Sequence, residues 1–329
     1  MSETIAEFME KPVKKYACGR KAGEAKKSLI KAFTASNELR RPQESALFGE
    51  IVDSVMKTEK GRETMTTLSK LGYSFAFETG NFGGFCSAER KKIVINPEMS
   101  FSYMMQTAVH EGRHAIQGAL AGPDAPACQN TQVASLIRCR RAQEADAVAH
   151  QMAFVYQCKD ALPEVYRDAK EQNTPMFRAF TGEMEKSGDE RKAMQASFAA
   201  WYESEYYRNF YDKAYKNNVK QMCELGKQEK NKDFFKEEYP AEDVLKMCRY
   251  KGQVYMKPEF LNKGLAFSVP AEHKKEIADM VSDYAKTVGV KADESVLTMR
   301  SRLPDGTLLP EDNNVAKTAV AFKTARNGR

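Results

Sequence analysis

Residues 100–122 read SFSYMMQTAVHEGRHAIQGALAG, and this stretch decides the fold. Ser100 or Ser102 can cap a helix here, and Gly122 with Pro123 stops it after Leu120. Inside it stands His110-Glu111-Gly112-Arg113-His114, a His-Glu-x-x-His motif. Helical residues four apart differ by about 40° in direction and sit one turn apart, so both imidazoles can converge on one ion. Glu111 falls about 100° from His110, near enough to handle a water beside that ion without binding the ion itself. Met104, Ala108, Ala115, Ile116, Ala119 and Leu120 cluster on one side, whereas Thr107, His110 and His114 share another. Such a helix buries one face and turns its histidines towards a cleft.

A catalytic zinc usually takes three protein ligands and keeps one open position. A Gly-x-x-His extension is absent, because Gln117 and Leu120 stand where Gly and His would be needed. The third ligand is sought on the next expected helix, Thr131 to Asp160, which offers Glu144, Asp146 and His150. Val133, Ile137, Ala145, Val148, Ala149, Met152 and Val155 define one arc of it, and Glu144 projects from that arc, with Asp146 and His150 opposite. A carboxylate on a buried arc is costly unless it is paired or binds metal, which favours Glu144, with His150 and Asp146 as alternatives. Arg141, one turn earlier, is positioned to pair with Glu144, either in place of a metal or as a neighbour that holds the ligand. Two neutral imidazoles and a carboxylate suit Zn2+ better than magnesium or calcium.

Upstream, apolar residues from Glu44 to Met56 recur at helical spacing, and a shorter helix is expected from Glu63 to Leu71, ended by Gly72. The period then shortens: Tyr73–Glu78, Gly84–Ser87 and Lys91–Asn96 read as three strands of a small antiparallel meander. Downstream of Pro163 the pattern is mostly helical, and an aromatic stripe from Met194 through Trp201, Tyr206 and Phe210 to Tyr215 is expected in the core. The charged stretch from Gln228 to Glu238 reads as a linker or exposed loop.

A chain of 329 residues with 42% hydrophobic side chains buries a substantial core, which excludes general disorder. No run approaches the roughly 18 apolar residues of a membrane span, and the N-terminus lacks the apolar core of a secretory signal. The seven cysteines never stand closer than eleven residues, which argues for reduced thiols and a cytoplasmic protein. The net charge of +6 is small for this length and reads as a solvated basic face rather than a nucleic-acid surface; no helix-turn-helix or RNA motif accompanies it.

The active helix followed by Glu144-Ala145-Asp146-Ala147-Val148-Ala149 resembles the gluzincin zinc metallopeptidases, most nearly the small bacterial forms of the IrrE/ImmA kind and related metallopeptidase families of undefined substrate. The resemblance covers about residues 72 to 158. It implies an α+β, mostly helical fold: a zincin-like core with a small antiparallel sheet and an active-site helix, plus a helical C-terminal region. It also implies His110, His114 and Glu144 as zinc ligands, Glu111 as catalytic base, and a protein or peptide substrate. In many gluzincins an Asp follows the ligand Glu by four residues; here that position is Val148, so Asp146 becomes the substitute, with Arg141 and His150 the other residues expected around the ligands. The strand nearest the active helix, Lys91–Asn96, is expected to pair with an extended peptide, unless it lies inside the sheet. The expected organisation is a basic arm (1–40), a zincin-like domain (41–162), a helical domain of unassigned role (163–295) and a loosely structured tail (296–329). A non-catalytic zinc-binding regulator, with or without nucleic acid, is the alternative, but a purely structural site has no need of Glu111 beside its ligands. Candidates for the donor that steadies a reacting oxyanion are His150, His273, Arg141 and the tyrosines.

Overall fold

A computed structural model describes residues 20–36, 42–122 and 127–310, and within them the protein is mostly helical with small sheets. The terminal parts of the expected arm and tail, 1–19 and 311–329, lie outside the described residues. Contacts divide the chain into two units: residues 1–123, 143–201 and 246–255 in the first, and 124–142, 202–245 and 256–329 in the second.

In the first unit α1 (Arg20–Ser36) buries Ala22, Ala25, Leu29 and Phe33, a stripe that recurs every three to four residues. It packs on α2 (Pro42–Val55) and α3 (Glu59–Leu71). Thr58 caps α3 by accepting from the Gly61 N–H, and Gly72 ends it in the left-handed region, where the Leu68 and Ser69 carbonyls find their partner. Strands β1 (Ser74–Phe77), β2 (Gly84–Ser87) and β3 (Lys92–Ile95) follow, then the long helix α4 (Phe101–Ala121), capped by Ser100. Helix α4 lies against β2, β3, α2 and α3.

The sheet corrects the antiparallel meander. Its order is β1-β3-β2, with β1 parallel and β2 antiparallel to β3. Strand β3 is therefore interior, not the edge expected to pair with a peptide. The reason lies in its side chains: Ile93, Val94 and Ile95 are buried consecutively, the pattern of a strand covered on both faces, whereas β2 carries Gly84 and an exposed Phe85. The outer side of β1 is covered by α1, whose Ser36 hydroxyl donates to the Phe75 carbonyl. The other edge strand of the sheet, among the described residues, is β2.

Helix α5 (Val133–Ala161) contributes its first turns to the second unit and its remainder to the first. After α6 (Pro163–Gln172) and α7 (Pro175–Ser187), the expected aromatic stripe proves to be two helices, α8 (Glu190–Glu203) and α9 (Glu205–Glu229). Extended backbone at Ser204 resets the helical register. Met194, Phe198, Trp201 and Tyr202 are core as expected, but Tyr206 and Phe210 point to solvent.

The core of the second unit gathers Val133 and Ile137 of α5, Val219 and Cys223 of α9, and Ile277, Val281 and Tyr284 of α10 (Ala271–Val288). The charged stretch 228–238 is no free linker: Phe235 N–H donates to Gln129, Glu237 N–H to Asn130 and Gln132 N–H to Glu237, which fixes it beside the entry to α5.

Candidate metal centre

Helix α4 brings His110 and His114 onto one face one turn apart, their rings 4.9 Å between centroids and nearly perpendicular. From α5 the Glu144 carboxylate enters between them: Oε2 lies 3.6 Å from His110 Nε2 and Oε1 3.6 Å from His114 Nε2. One ligand atom from each of the three lies within 4.8 Å of the others. Groups about 2.1 Å from one tetrahedral ion stand about 3.4 Å apart, close to the two His–Glu separations, so these three side chains could hold a metal ion. Glu144 Oε2 is buried without a hydrogen-bond partner, a costly condition that a cation would relieve.

Two glutamines set the imidazole tautomers. Gln117 Nε2 donates to the Gln143 carbonyl (2.8 Å) and to Asp146 Oδ2 (2.7 Å), which turns its Oε1 to His114 Nδ1 at 2.9 Å. Gln151 Nε2 donates to Gln106 Oε1, which turns its own Oε1 to His110 Nδ1 at 3.1 Å. Each Nδ1–H therefore donates to its glutamine, and Nε2 is the ring atom turned to Glu144. Burial disfavours the Glu144 carboxylate, but the His114 and His110 imidazoles hold its pKa well below the usual carboxylate range. Burial likewise opposes the His114 imidazolium, yet Glu144 outweighs it and His114 rises to about 9.

Glu111 is buried beneath β2: a Cβ on Gly84 would stand 3.4 Å from Glu111 Cγ, 2.5 Å from Thr107 Cγ2 and 2.6 Å from the Val94 carbonyl oxygen. Only glycine allows the edge strand so close to the helix. Gly112, the first variable residue of the motif, serves the opposite face, where a Cβ would meet Thr64 and Leu68 of α3.

The remaining expected residues divide. Asp146 is fully buried and accepts from Gln117, from Arg113 Nε (2.6 Å) and from the Tyr255 hydroxyl (2.9 Å), so it reaches His114 through Gln117. Arg113 also donates to the Met247 and Arg249 carbonyls, which ties α4 to the hairpin β4 (Arg249–Tyr250) and β5 (Gln253–Val254). His150 bonds the Arg249 carbonyl at 3.1 Å, stands 3.6 Å from Asp146 Oδ1, and is pushed well below its ordinary pKa by burial and by Arg113 and Lys60, so it is neutral. Arg141 does not reach Glu144: it donates to Asp212 of α9, because that side of α5 belongs to the second unit. His273 lies on α10, also in the second unit. The reading from sequence missed Gln106, Gln117 and Gln151. Their signal was available: Gln106 and Gln117 stand one turn from His110 and His114, and Gln151 lies two turns beyond Glu144 on the same arc.

No curated protein and no solved structure matches the chain. A family model described as "Putative metallopeptidase family (DUF6782)" matches residues 28–255, a span that contains His110, His114, Glu144, both glutamine supports and Tyr255. The paired imidazoles and inserted carboxylate are the equipment that description calls for, and the chain belongs to this putative metallopeptidase family.

Proposed function

We propose that the protein is a zinc-dependent peptidase of the gluzincin type, with His110, His114 and Glu144 holding the ion and Glu111 serving as general base. The observation that carries this reading is the Glu144 carboxylate inserted between two Nε2 atoms whose Nδ1 sides are already committed to glutamines. Zinc, when bound there, supplies a Lewis acid that polarises a carbonyl and makes water acidic near neutral pH.

The chain's own groups do the rest. Glu111, one residue from a ligand and beneath the edge strand β2, takes the proton of the attacking water and returns it to the leaving amine. Strand β2 offers backbone donors and acceptors that an extended peptide can pair with, which presents a scissile carbonyl along the active helix. Asp146, Gln117 and Gln151 keep the imidazoles in the tautomer that leaves Nε2 available.

Metal analysis with a peptidase screen tests this. Glu111→Gln retains its metal and loses activity by roughly 10²–10⁴-fold, whereas His110→Ala and Glu144→Ala lose metal and activity together. If wild type and His110→Ala hold equally little metal, the reading fails.

A further inference from the structure

We infer that the second unit carries a binding site for a small zwitterion, a free amino acid or short peptide, in a cavity whose buried wall holds Arg138 and Ser135 and whose rim carries charges of both signs. The inference stands apart from the peptidase reading, because every residue lining this cavity belongs to the second unit and none is a ligand of the proposed metal. The cavity measures about 540 Å³, within the range of small-molecule sites. It lies between the first turns of α5, the anchored segment 234–238 and the segment 290–298.

Ser135 and Arg138 stand three residues apart on α5 and share a face, and both are buried, at 2% and 7% exposure. Arg138 Nη2 donates to Ser135 Oγ (3.2 Å) and to the Tyr239 carbonyl (2.8 Å), and Nη1 donates to Asn262 Oδ1 (2.8 Å). The guanidinium lies 5.9 Å from the centre of the Phe267 ring, which also lines the cavity. All these partners are neutral. Nε is buried without a hydrogen-bond partner, and among the described residues no carboxylate forms an ion pair with Arg138. Burial pushes its pKa down, against the pull of Glu238 and Glu242. A buried charge without a counter-ion is costly, and an anion entering the cavity relieves it. Ser135 adds a donor: its Oγ already accepts from Arg138 and from the Tyr239 N–H (3.0 Å), which leaves its hydroxyl hydrogen to donate.

The rim decides which anion. Arg138, Lys236 and Lys291 stand against Glu238, Asp293 and Glu294 around the lining, so its formal charges balance. Two of these are already engaged: Asp293 accepts from the Val133 and Ser295 N–H groups, and Lys236 pairs with Asp233. What remains is Arg138 inside, with Glu238, Lys291 and Glu294 exposed at the mouth. A phosphate dianion would meet one buried counter-charge and two repelling carboxylates. A carboxylate matches the single guanidinium, and an ammonium group on the same molecule meets Glu238 or Glu294. Phe234, Phe235 and Phe267 supply apolar walls, which suit a large apolar side chain between the two charged ends.

Calorimetric titration of the full-length protein tests this and needs neither metal nor turnover. The probes are L-phenylalanine, L-leucine and the glycyl-phenylalanine dipeptide, compared with L-phenylalaninamide, N-acetyl-L-phenylalanine and inorganic phosphate. At least one of the three zwitterions is expected to bind with a Kd of roughly 1 mM or tighter. The amide and the N-acetyl compound, each lacking one charged end, should bind about tenfold more weakly than L-phenylalanine, and phosphate more weakly than any zwitterion. Arg138→Gln should weaken the zwitterions about 10–100-fold, with its denaturant midpoint reporting whether the buried substitution folds. The double variant Glu238→Gln with Glu294→Gln changes exposed residues only; it should weaken L-phenylalanine and leave N-acetyl-L-phenylalanine unchanged. Failure of all three zwitterions to bind, phosphate binding tighter than they do, or zwitterion affinity unmoved by the double variant overturns the inference.

Discussion

At the scale of single residues, the site is a competition between a proton and a metal for the same nitrogen. Glu144 raises His114 to about 9, above the ordinary histidine range, so between pH 7 and 9 this imidazole holds a proton that metal uptake must displace. The sign follows: apparent zinc affinity rises with pH, about tenfold per unit for one proton, and levels off as the pH passes about 9. Calorimetry in buffers of different ionisation enthalpy counts that proton, and an affinity flat from pH 7 to 9 would contradict the assignment. Gln117 gives a second check. Gln117→Ala leaves His114 Nδ1 without its acceptor and should weaken zinc binding about 10–100-fold, whereas Gln117→Glu, which still accepts, should recover most of it. The shared face of His110 and His114 was legible because a four-residue spacing on a helix is itself a geometric statement. Glu144 was singled out by a face argument that holds only in part: α5 is buried on both sides, and Asp146, opposite, is the more deeply buried carboxylate. The glutamines escaped notice because a neutral side chain carries no charge or ligand signature in a sequence.

At the scale of elements, helix α4 and strand β2 were placed correctly from periodicity, but their contact was not. Period-two patterning tells a strand from a helix and says little about which strand pairs with which. The unbroken Ile93-Val94-Ile95 run did hold the answer for β3, since an interior strand is covered on both faces. The break at Ser204 was invisible because aromatic spacing continues across it while the backbone does not. Gly84 is where the element scale meets the chemistry. Gly84→Ala pushes a methyl towards the Val94 carbonyl oxygen, a backbone atom that cannot yield as a side-chain tip can. We expect a loss of about 1–3 kcal/mol in denaturant unfolding and a fall in kcat, with metal content unchanged, since the three atoms nearest that methyl belong to Thr107, Val94 and Glu111 and not to a ligand. Unfolding and activity both at wild-type level would show that β2 sits further from α4 than described.

At the scale of the whole molecule, the three ligand residues fall in the first unit, while the second is built around a different electrostatic problem. There Asp212 accepts from Arg141 and Arg302, and Arg208 lies buried nearby, bonded to the Tyr202 carbonyl. Burial pushes Arg302 down to about 9, with Arg141 and Arg208 adding to the effect, and burial brings Arg141 down to about 10. Two buried guanidinium groups, Arg141 and Arg302, thus share one equally buried carboxylate, with the Arg208 charge close enough to disfavour both. Removing one partner of a buried ion pair leaves an unsolvated charge, a loss of about 3–5 kcal/mol. Asp212→Asn keeps the shape and removes the charge, so the denaturant midpoint should fall accordingly, and raising pH should not recover it until the arginines themselves begin to lose protons. Metal stoichiometry of the folded variant should equal wild type, because the ligands are supplied by α4 and by the part of α5 assigned to the first unit. An unchanged midpoint would mean that water or another anion already neutralises the arginines. A loss of metal along with stability would mean that the two units do not hold their structures independently.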